Sequence, residues 1–243
     1  MVMVVESSSN IAKSFKESLP PLQQNSRRVY LIRHGETDWN AQGKIQGGGY
    51  DIPLNANGQS QARAVALALA EIPLTVIASS TLSRAKETAD ILWQEHSDCH
   101  HRELDSGLRE MGFGEFEGLA IHSLELEEKV RNRFKTIGRQ VNGNPDIVFP
   151  GGGESTNMVK ERACTALKAV LDKYPRDQHI AVVSHGRTNK VLIASIAFKD
   201  VQKFRTIKQK NTAINVLDVD SDGNWTIQVL DYIDHVKDNV IIR

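Results

Sequence analysis

The sequence predicts an α/β fold, a three-layer α/β/α sandwich around a mostly parallel sheet with an antiparallel element. Short apolar runs indicate buried strands at residues 29–33, 75–79 and 180–184. Each run ends in polar residues, and helical segments with apolar residues at helical spacing follow along the chain. Buried strands that alternate with helices are typical of a parallel sheet covered on both faces. A turn-rich segment at 220–224 separates apolar residues 212–218 from 225–230, which indicates a terminal β-hairpin as the antiparallel element.

The other elements are predicted from apolar spacing and end signals. A helix is expected over residues 57–71, where Pro73 ends it. Ser80 or Thr81 can cap the helix that follows the second strand. The remaining segments are an edge strand at 101–104 and helices at 120–138, 155–174 and 189–198.

Composition narrows the class of protein. The chain has 243 residues with 30 basic and 30 acidic side chains, so its formal net charge is zero. Without a basic excess, a nucleic-acid partner is not expected, and no apolar run approaches the ~20 residues of a transmembrane helix. The two cysteines, Cys99 and Cys164, indicate free thiols in a reducing compartment. We expect a cytoplasmic protein with no membrane partner; the sequence leaves the oligomeric state open, a homodimer included.

One domain is predicted over residues 28–243, after a flexible N-terminal leader at residues 1–27. The leader is rich in Ser, Gln and Asn, which favours a tail outside the core. Phe15 and Leu19 belong to a weak amphipathic pattern, but acidic residues within it argue against a mitochondrial transit peptide. The sequence leaves organellar targeting by this segment open.

Three of the predicted strands end in residues that suit an anion. Arg33-His34 follows the first strand, Arg84 lies in the helix after the second, and His185 follows the third. The carboxyl ends of parallel strands meet at one edge of the sheet, where such folds bind their ligands. Two guanidiniums and two imidazoles destabilise one another there unless an anion offsets their charge. Because the arginine fork matches phosphate geometry, the sequence predicts a phosphoryl-binding site.

A series of motifs runs through the chain in a defined order. It comprises Leu31-Ile32-Arg33-His34-Gly35-Glu36-Thr37, Gln46-Gly47, Asp51-Ile52-Pro53-Leu54, Leu82-Ser83-Arg84-Ala85, Leu108-Arg109-Glu110, Gly152-Gly153-Glu154-Ser155 and Val183-Ser184-His185-Gly186. This series resembles the histidine phosphatase superfamily, whose fold is phosphoglycerate-mutase-like. The resemblance extends over about residues 29–217 and is closest to the phosphatase branch.

The resemblance implies a role for each charged residue at the strand ends. His34 is the implied nucleophile, which forms a phosphohistidine while its other ring nitrogen donates to the carbonyl of Gly35. Arg33, Arg84 and His185 are implied to hold the phosphoryl oxygens and the charge that develops on them. His185 is expected to act best in its protonated form, because a bound phosphate raises the pKa of a neighbouring imidazole.

Glu110 matches the family's acid-base residue, which protonates the leaving alkoxide and then helps to activate water. No cofactor and no metal are expected, because two arginines and a histidine supply the positive charge. The acid- and histidine-rich residues 95–101 match no metal-ligand spacing and indicate a solvated turn. The implied substrate-binding residues are Thr37, Asn40, Gln46, Gly47 and Gly186.

Three functions share this set of residues. We favour a phosphatase (a hydrolase) over a mutase (an isomerase), because the interval from Glu110 to Gly153 lacks the long basic and Pro-rich insertion of the mutases. A non-catalytic phosphate-binding scaffold is less consistent with a complete catalytic set. The expected partner is a small phosphorylated metabolite of open identity. Arg187 and Lys190 depart from the residues of the well-studied branches and are candidates for contact with a second phosphate or a carboxylate, although Lys190 is equally explained as a solvent-facing helix residue.

Overall fold

The computed structural model describes residues 14–123, 126–175 and 178–236, in which six strands form one mixed sheet. The strands are β1 (Arg27–Arg33), β2 (Val76–Ser80), β3 (His101–Asp105), β4 (His179–Ser184), β5 (Ile214–Val219) and β6 (Trp225–Tyr232). The α-helices of these residues are α1 (Phe15–Ser18), α2 (Asp38–Ala41), α3 (Ala56–Leu69), α4 (Ser83–Gln94), α5 (Glu128–Gly143), α6 (Thr156–Lys173) and α7 (Gly186–Ile196). Short 3-10 helices lie at Ser106–Leu108, Gly114–Phe116 and Val201–Thr206.

The strand order is β3-β2-β4-β1-β5-β6, and this sheet confirms the predicted α/β class. β3, β2, β4 and β1 run parallel to one another, with β3 at the edge as predicted. β5 pairs antiparallel with β1, and β6 pairs antiparallel with β5. The terminal hairpin is therefore the antiparallel element, and it extends the sheet from its first strand.

Helices cover both faces of the sheet because successive strand residues point to opposite sides. On one face, Leu31 and Val182 pack in a core with residues of α6 and α7. On the other face, Ile32 and Val183 pack in a core with residues of α3 and α4. The alternation therefore builds the predicted three layers from strands that are buried on both sides.

The N-terminal segment differs from the prediction of a leader outside the core. Residues 1–13 lie outside the described residues, but Phe15 is only 6% exposed and belongs to the core that α3 and α4 form. Its ring centroid lies 4.5 Å from that of Tyr232 on β6. The hydroxyl and backbone of Ser14 cap α1 together with Glu17. Phe15 therefore anchors this end of the segment to the domain, because its burial offsets the cost of ordering it.

Three helices, α4, α5 and α7, begin at other residues than predicted. α4 begins at Ser83 without a side-chain cap from Ser80 or Thr81, and α7 begins at Gly186 rather than at residue 189. In both helices the first N–H groups donate to a carboxylate that is distant in sequence, as described below. α5 also begins later than predicted, at Glu128 rather than at residue 120.

Within the described parts of the chain, no helix has the length and apolarity needed to cross a membrane.

Candidate active site

The ends of β1 and β4 bring two histidines together. Arg33 and Ser184 are register partners, so His34 and His185 leave the sheet side by side. Their ring centroids lie 5.0 Å apart. A cavity of about 240 Å³ opens at this edge. Most of the predicted site residues line it, namely Arg33, His34, Asn40, Gln46, Gly47, Arg84 and Glu110.

His34 is held in one tautomer. Its Nδ1 lies 2.6 Å from the carbonyl oxygen of Gly35, which confirms the predicted contact. Because a carbonyl only accepts hydrogen bonds, Nδ1 carries the proton and Nε2 keeps its lone pair. Burial, and then the charges of Arg84 and Arg33, hold the pKa of His34 well below its ordinary value. The ring is therefore neutral at neutral pH, which is the form that can act as a nucleophile.

The two guanidiniums are held by backbone carbonyls. Arg33 donates from Nη1 to the carbonyl of Gln209 at 2.7 Å, while its buried Nε has no partner among the described residues. Arg84 donates to the carbonyls of Gly47 (2.8 Å) and Tyr50 (3.0 Å). Burial lowers the pKa of Arg84 to about 10, so it stays charged at neutral pH. The two positive charges therefore have fixed positions, with a donor of Arg33 left for a ligand.

His185 contacts Arg84 and Ser80 through its two ring nitrogens. Its Nδ1 accepts a hydrogen bond from Nε of Arg84 at 3.3 Å, and an accepting nitrogen carries no proton. Its Nε2 lies 2.8 Å from the hydroxyl of Ser80. Burial first, and then the charge of Arg84, hold the pKa of His185 well below its ordinary value. These contacts favour a neutral His185 beside Arg84, whereas the expected imidazolium concerns the form that binds phosphate and stays a prediction.

Glu110 lies at the N-terminus of α7. Its Oε2 accepts from the backbone N–H of Arg187 at 3.1 Å. Its Oε1 accepts from the backbone N–H groups of Met111 (2.9 Å) and Thr188 (3.1 Å) and from the Thr188 hydroxyl (3.1 Å). The carboxylate accepts from two N–H groups of the first turn of α7, which explains why this helix starts earlier than local capping signals indicate. These donors also fix the carboxylate on the wall of the cavity.

Two predicted substrate-binding residues lie behind the cavity lining. Thr37 is fully buried, and its hydroxyl accepts from Nε2 of Gln46 at 2.7 Å. Gly186 lies against Arg33, and a Cβ atom there would come within 3.4 Å of the Nε of Arg33. Both residues therefore position lining residues instead of lining the cavity themselves. Gln46 itself presents a buried Oε1 without a partner in the described parts of the chain.

Several residues that support the site were not predicted from the sequence. Asn211 donates from Nδ2 to the carbonyl of His34 (3.3 Å) and to Oδ1 of Asn40 (3.2 Å). Gln209, whose carbonyl holds Arg33, donates from Nε2 to Asn215 on β5 at 2.7 Å. These residues precede or belong to the terminal hairpin and carry no motif. Only the antiparallel pairing of β5 with β1 brings them to the site.

A larger cavity of about 540 Å³ lies on the other side of Glu110. Glycines and the ion pair of Arg162 with Glu154 (2.7 Å) form much of its wall. The remaining guanidinium N–H groups of Arg162 donate to the carbonyls of residues 107, 109 and 110. In the larger cavity, Arg162 and Glu154 already pair with each other. The smaller cavity is lined by Arg33 and Arg187, which have donors without partners in the described residues, so we assign the candidate active site to it.

The residues at 95–101 do not gather as a metal site. Both ring nitrogens of His96 lie within 2.9 Å of backbone carbonyl oxygens, those of Leu92 and Leu69. The ring of His101 packs on Tyr174, with centroids 4.4 Å apart. Across the described residues, no group of three or more His, Cys, Asp or Glu side chains is arranged to hold a metal ion.

Comparison with known proteins agrees with this geometry. The family model of the histidine phosphatase superfamily (branch 1) matches residues 29–232. The phosphoglycerate mutase-like protein 4 of Arabidopsis thaliana is 34% identical over 220 residues, which cover 88% of this chain and 89% of that protein. A probable phosphoglycerate mutase of Salmonella choleraesuis is 34% identical over 213 residues, which cover 86% and 94% of the two chains.

Solved structures of similar fold carry phosphatase names. A phosphoserine phosphatase of Entamoeba histolytica, solved with phosphoserine, superposes with a TM-score of 0.71 at 27% identity and covers 87% of this chain and 100% of that one. A mycobacterial glucosyl-3-phosphoglycerate phosphatase superposes with a TM-score of 0.71 at 26% identity and covers 84% and 99% of the two chains. The two relatives found by sequence are thus named as mutases, and the two found by structure are named as phosphatases.

Proposed function

The chain belongs to the histidine phosphatase superfamily, and we propose that it hydrolyses small phosphomonoesters through a phosphohistidine on His34. The observation that carries this proposal is the tautomer of His34. The contact of Nδ1 with the Gly35 carbonyl leaves Nε2 unprotonated in a cavity that Arg33 and Arg84 also line. A neutral imidazole nitrogen between two cations is suited to attack on a phosphoryl group.

The reaction has two steps. In the first, Nε2 of His34 forms a bond to phosphorus, the ester P–O bond breaks, and Glu110 gives a proton to the leaving alkoxide. In the second, Glu110 takes a proton from a water molecule whose oxygen attacks phosphorus, the N–P bond breaks, and inorganic phosphate leaves. Glu110 returns to its starting form because it loses and regains one proton.

Fixed positive charge takes the place of a metal in this proposal. Arg33 and Arg84 face the phosphoryl oxygens and offset the charge that develops during transfer. Arg84 also donates to His185, so His185 orients this guanidinium. The proposal therefore includes no metal and no cofactor.

The alternative function is that of a mutase, which returns the phosphoryl group to a second hydroxyl before water enters. The names of the relatives by sequence favour it. The short interval between Glu110 and Gly153 favours hydrolysis, because it lacks the insertion that excludes water in mutases. The names of the structural neighbours, which are phosphatases of small phosphorylated metabolites, also support hydrolysis.

Release of inorganic phosphate from an aryl phosphate in excess EDTA tests the proposal. We expect turnover by the wild-type protein and a loss of at least about 10³-fold in the His34→Ala variant, because no other group replaces the nucleophile. His122→Ala, which removes an exposed histidine, is the matched control and should keep full activity. Activity that survives in His34→Ala, or that EDTA removes, would contradict the mechanism.

A panel of phosphoglycerates separates the two reactions. A phosphatase releases inorganic phosphate from them, whereas a mutase interconverts the 2- and 3-phosphates, which phosphorus NMR distinguishes without phosphate release. Interconversion that outpaces phosphate release would replace the hydrolase assignment by the mutase.

A further inference from the structure

We infer that Arg187 and Lys190 form a second anion subsite next to the phosphoryl site, so that the substrate is a small phosphomonoester with a second anionic group. That group is a carboxylate or a second phosphate. The inference rests on the proposed function, since it concerns what else the molecule in that cavity carries. Arg187 lines the same cavity as His34 and Glu110.

Aromatic rings hold the guanidinium of Arg187 in place. Its Cζ lies 4.6 Å from the ring centroid of Phe204 and 5.8 Å from that of Phe113. Stacking against ring faces leaves the N–H groups at the edge of the guanidinium plane without partners from the rings. Nη1 is buried and has no hydrogen-bond partner in residues 14–123, 126–175 and 178–236. A buried donor without a partner at a cavity wall indicates a missing acceptor.

The position of Arg187 is not explained by the stability of α7. It lies in the first turn of α7, where a cation opposes the helix dipole. The nearby carboxylate of Glu110 accepts from the backbone N–H of Arg187 and from Thr188 and Met111, and forms no ion pair with the guanidinium among the described residues. Burial also lowers the pKa of Arg187. The aromatic contacts hold the guanidinium, but its Nη1 lacks an acceptor in the described residues, and an anionic group of the substrate would supply one.

Lys190 adds a further cation on the same side of α7. It lies three residues after Arg187, which places the two side chains on one helix face. Burial and then the charges of Arg187 and Arg33 lower the pKa of Lys190, which agrees with its placement on the same helix face as Arg187. Lys190 is half-buried rather than fully solvent-facing, which disfavours the surface interpretation of this residue.

Three arginines and the carboxylate of Glu110 line the cavity. The proposed reaction uses Arg33 and Arg84 for the phosphoryl oxygens, which leaves Arg187 for a second anionic group. The cavity of about 240 Å³ is small, and Phe134 contributes an apolar part of its wall. A compact molecule with two anionic groups therefore matches both the charge and the size of the site better than a simple monoester does.

The test measures binding to His34→Ala protein by calorimetry, so it needs no turnover. The first pair of ligands, 3-phosphoglycerate and glycerol 3-phosphate, differs by one carboxylate. The second pair, fructose 1,6-bisphosphate and fructose 6-phosphate, differs by one phosphate. We expect the two-anion member of at least one pair to bind at least about tenfold more tightly, since a charge-assisted hydrogen bond contributes that much or more. The pair that shows the preference identifies the second group.

The Arg187→Met substitution is then made in the same protein, because methionine keeps the contact with Phe113 and Phe204. We expect the preference within the pair to fall to below about threefold, and Arg187→Lys to restore part of it. Arg205→Met, which removes an exposed cation from the 3-10 helix that carries Phe204, is the matched control and should keep the preference. Thermal unfolding of each variant shows whether it is folded. A misfolded variant would also bind both members of a pair more weakly, whereas lost recognition weakens only the two-anion member.

Equal binding of both members in both pairs, or a preference that Arg187→Met leaves intact, would overturn the second subsite. Neither outcome affects the proposed reaction, which the aryl phosphate assay tests through His34. Conversely, a protein without phosphatase activity that still selects two-anion ligands through Arg187 would keep the subsite and refute the hydrolase.

Discussion

His34 and Glu110 owe their positions to backbone groups more than to other side chains. A carbonyl fixes the proton on Nδ1 of His34, and N–H groups at the start of α7 fix the oxygens of Glu110. Backbone at the ends of packed elements moves less than a free side chain, so both groups are preorganised. At the residue scale, the chemistry therefore depends on where β1 ends and where α7 begins.

Glu110→Gln separates acid catalysis from general damage to the site. An alkyl phosphate has a poor leaving group that needs a proton, whereas a nitrophenolate leaves without one. We expect kcat/KM, which reports formation of the phosphohistidine and not its hydrolysis, to fall about 10² to 10⁴-fold on the alkyl phosphate and less than about tenfold on the aryl phosphate. Glu115→Gln, on the neighbouring loop, is the control and should change neither rate. Equal losses of kcat/KM on both substrates would show that Glu110 is not the acid.

The charged and histidine residues of the site could be predicted from the sequence. The residues that hydrogen-bond to them and fix their positions could not. Arg33-His34 and His185 follow apolar runs, so their meeting at one sheet edge follows from the topology. Asn211 reaches the carbonyl of His34 only because β5 returns beside β1. The neutral state of His185 depends on the orientation of the Arg84 side chain, which no spacing in the sequence specifies.

At the scale of elements, the loop before α3 is fastened to the start of α4. The carboxylate of Asp51 accepts from the backbone N–H of Ser83 (2.7 Å) and from its hydroxyl (2.8 Å). The same loop presents the carbonyls of Gly47 and Tyr50 to Arg84, one residue further along α4. Gly47 adopts a φ of 63°, a region in which other residues are strained. Loop and helix therefore support each other through one charged residue on each side.

Asp51→Ala tests this coupling. We expect the free energy of unfolding to fall by about 1 kcal/mol, as for the loss of a helix cap, because the first N–H of α4 loses its acceptor. We also expect kcat to fall by about tenfold, since Arg84 would lose part of its support. Urea unfolding and the aryl phosphate assay measure the two effects. Asp98→Ala, an exposed carboxylate after α4, is the control; an Asp51→Ala variant with normal kcat would show that Arg84 does not need the loop.

Non-local caps also explain why the starts of α4 and α7 were predicted wrongly. α4 and α7 take their first acceptors from Asp51 and Glu110, which lie far away in sequence. Sequence signals for helix ends detect only residues within a few positions of the end. The strands, whose apolar runs are continuous, were located to within about two residues at most ends, a normal uncertainty for such boundaries.

At the scale of the whole molecule, folding buries histidines in neutral form. Burial is the main cause that lowers the pKa values of His34, His179 and His185. Burial also lowers the pKa of His235, to about 4. In the unfolded chain these rings titrate near pH 6.5. Below that pH the unfolded chain binds protons that the folded chain does not, so the free energy of unfolding decreases as the pH falls.

We therefore expect the protein to lose at least about 2 kcal/mol of stability between pH 7.5 and pH 5.5, because each ring that stays neutral contributes up to about 1.4 kcal/mol per pH unit below 6.5. Carboxylates whose pKa is lowered on folding, such as Glu154, lose their stabilising contribution only at lower pH. They therefore do not change the stability in this window. Urea titrations in buffers without phosphate measure the difference, since phosphate would bind the site.

The His34→Gln variant identifies the source of this pH dependence. It removes one ring that stays neutral on folding, so its stability difference between the two pH values should be smaller than that of the wild type by about 1.4 kcal/mol. His122→Gln removes an exposed ring and should leave the difference unchanged. Parallel pH profiles for His34→Gln and the wild type would mean that His34 takes up a proton in the folded protein, which would also remove the lone pair on which the proposed nucleophile depends.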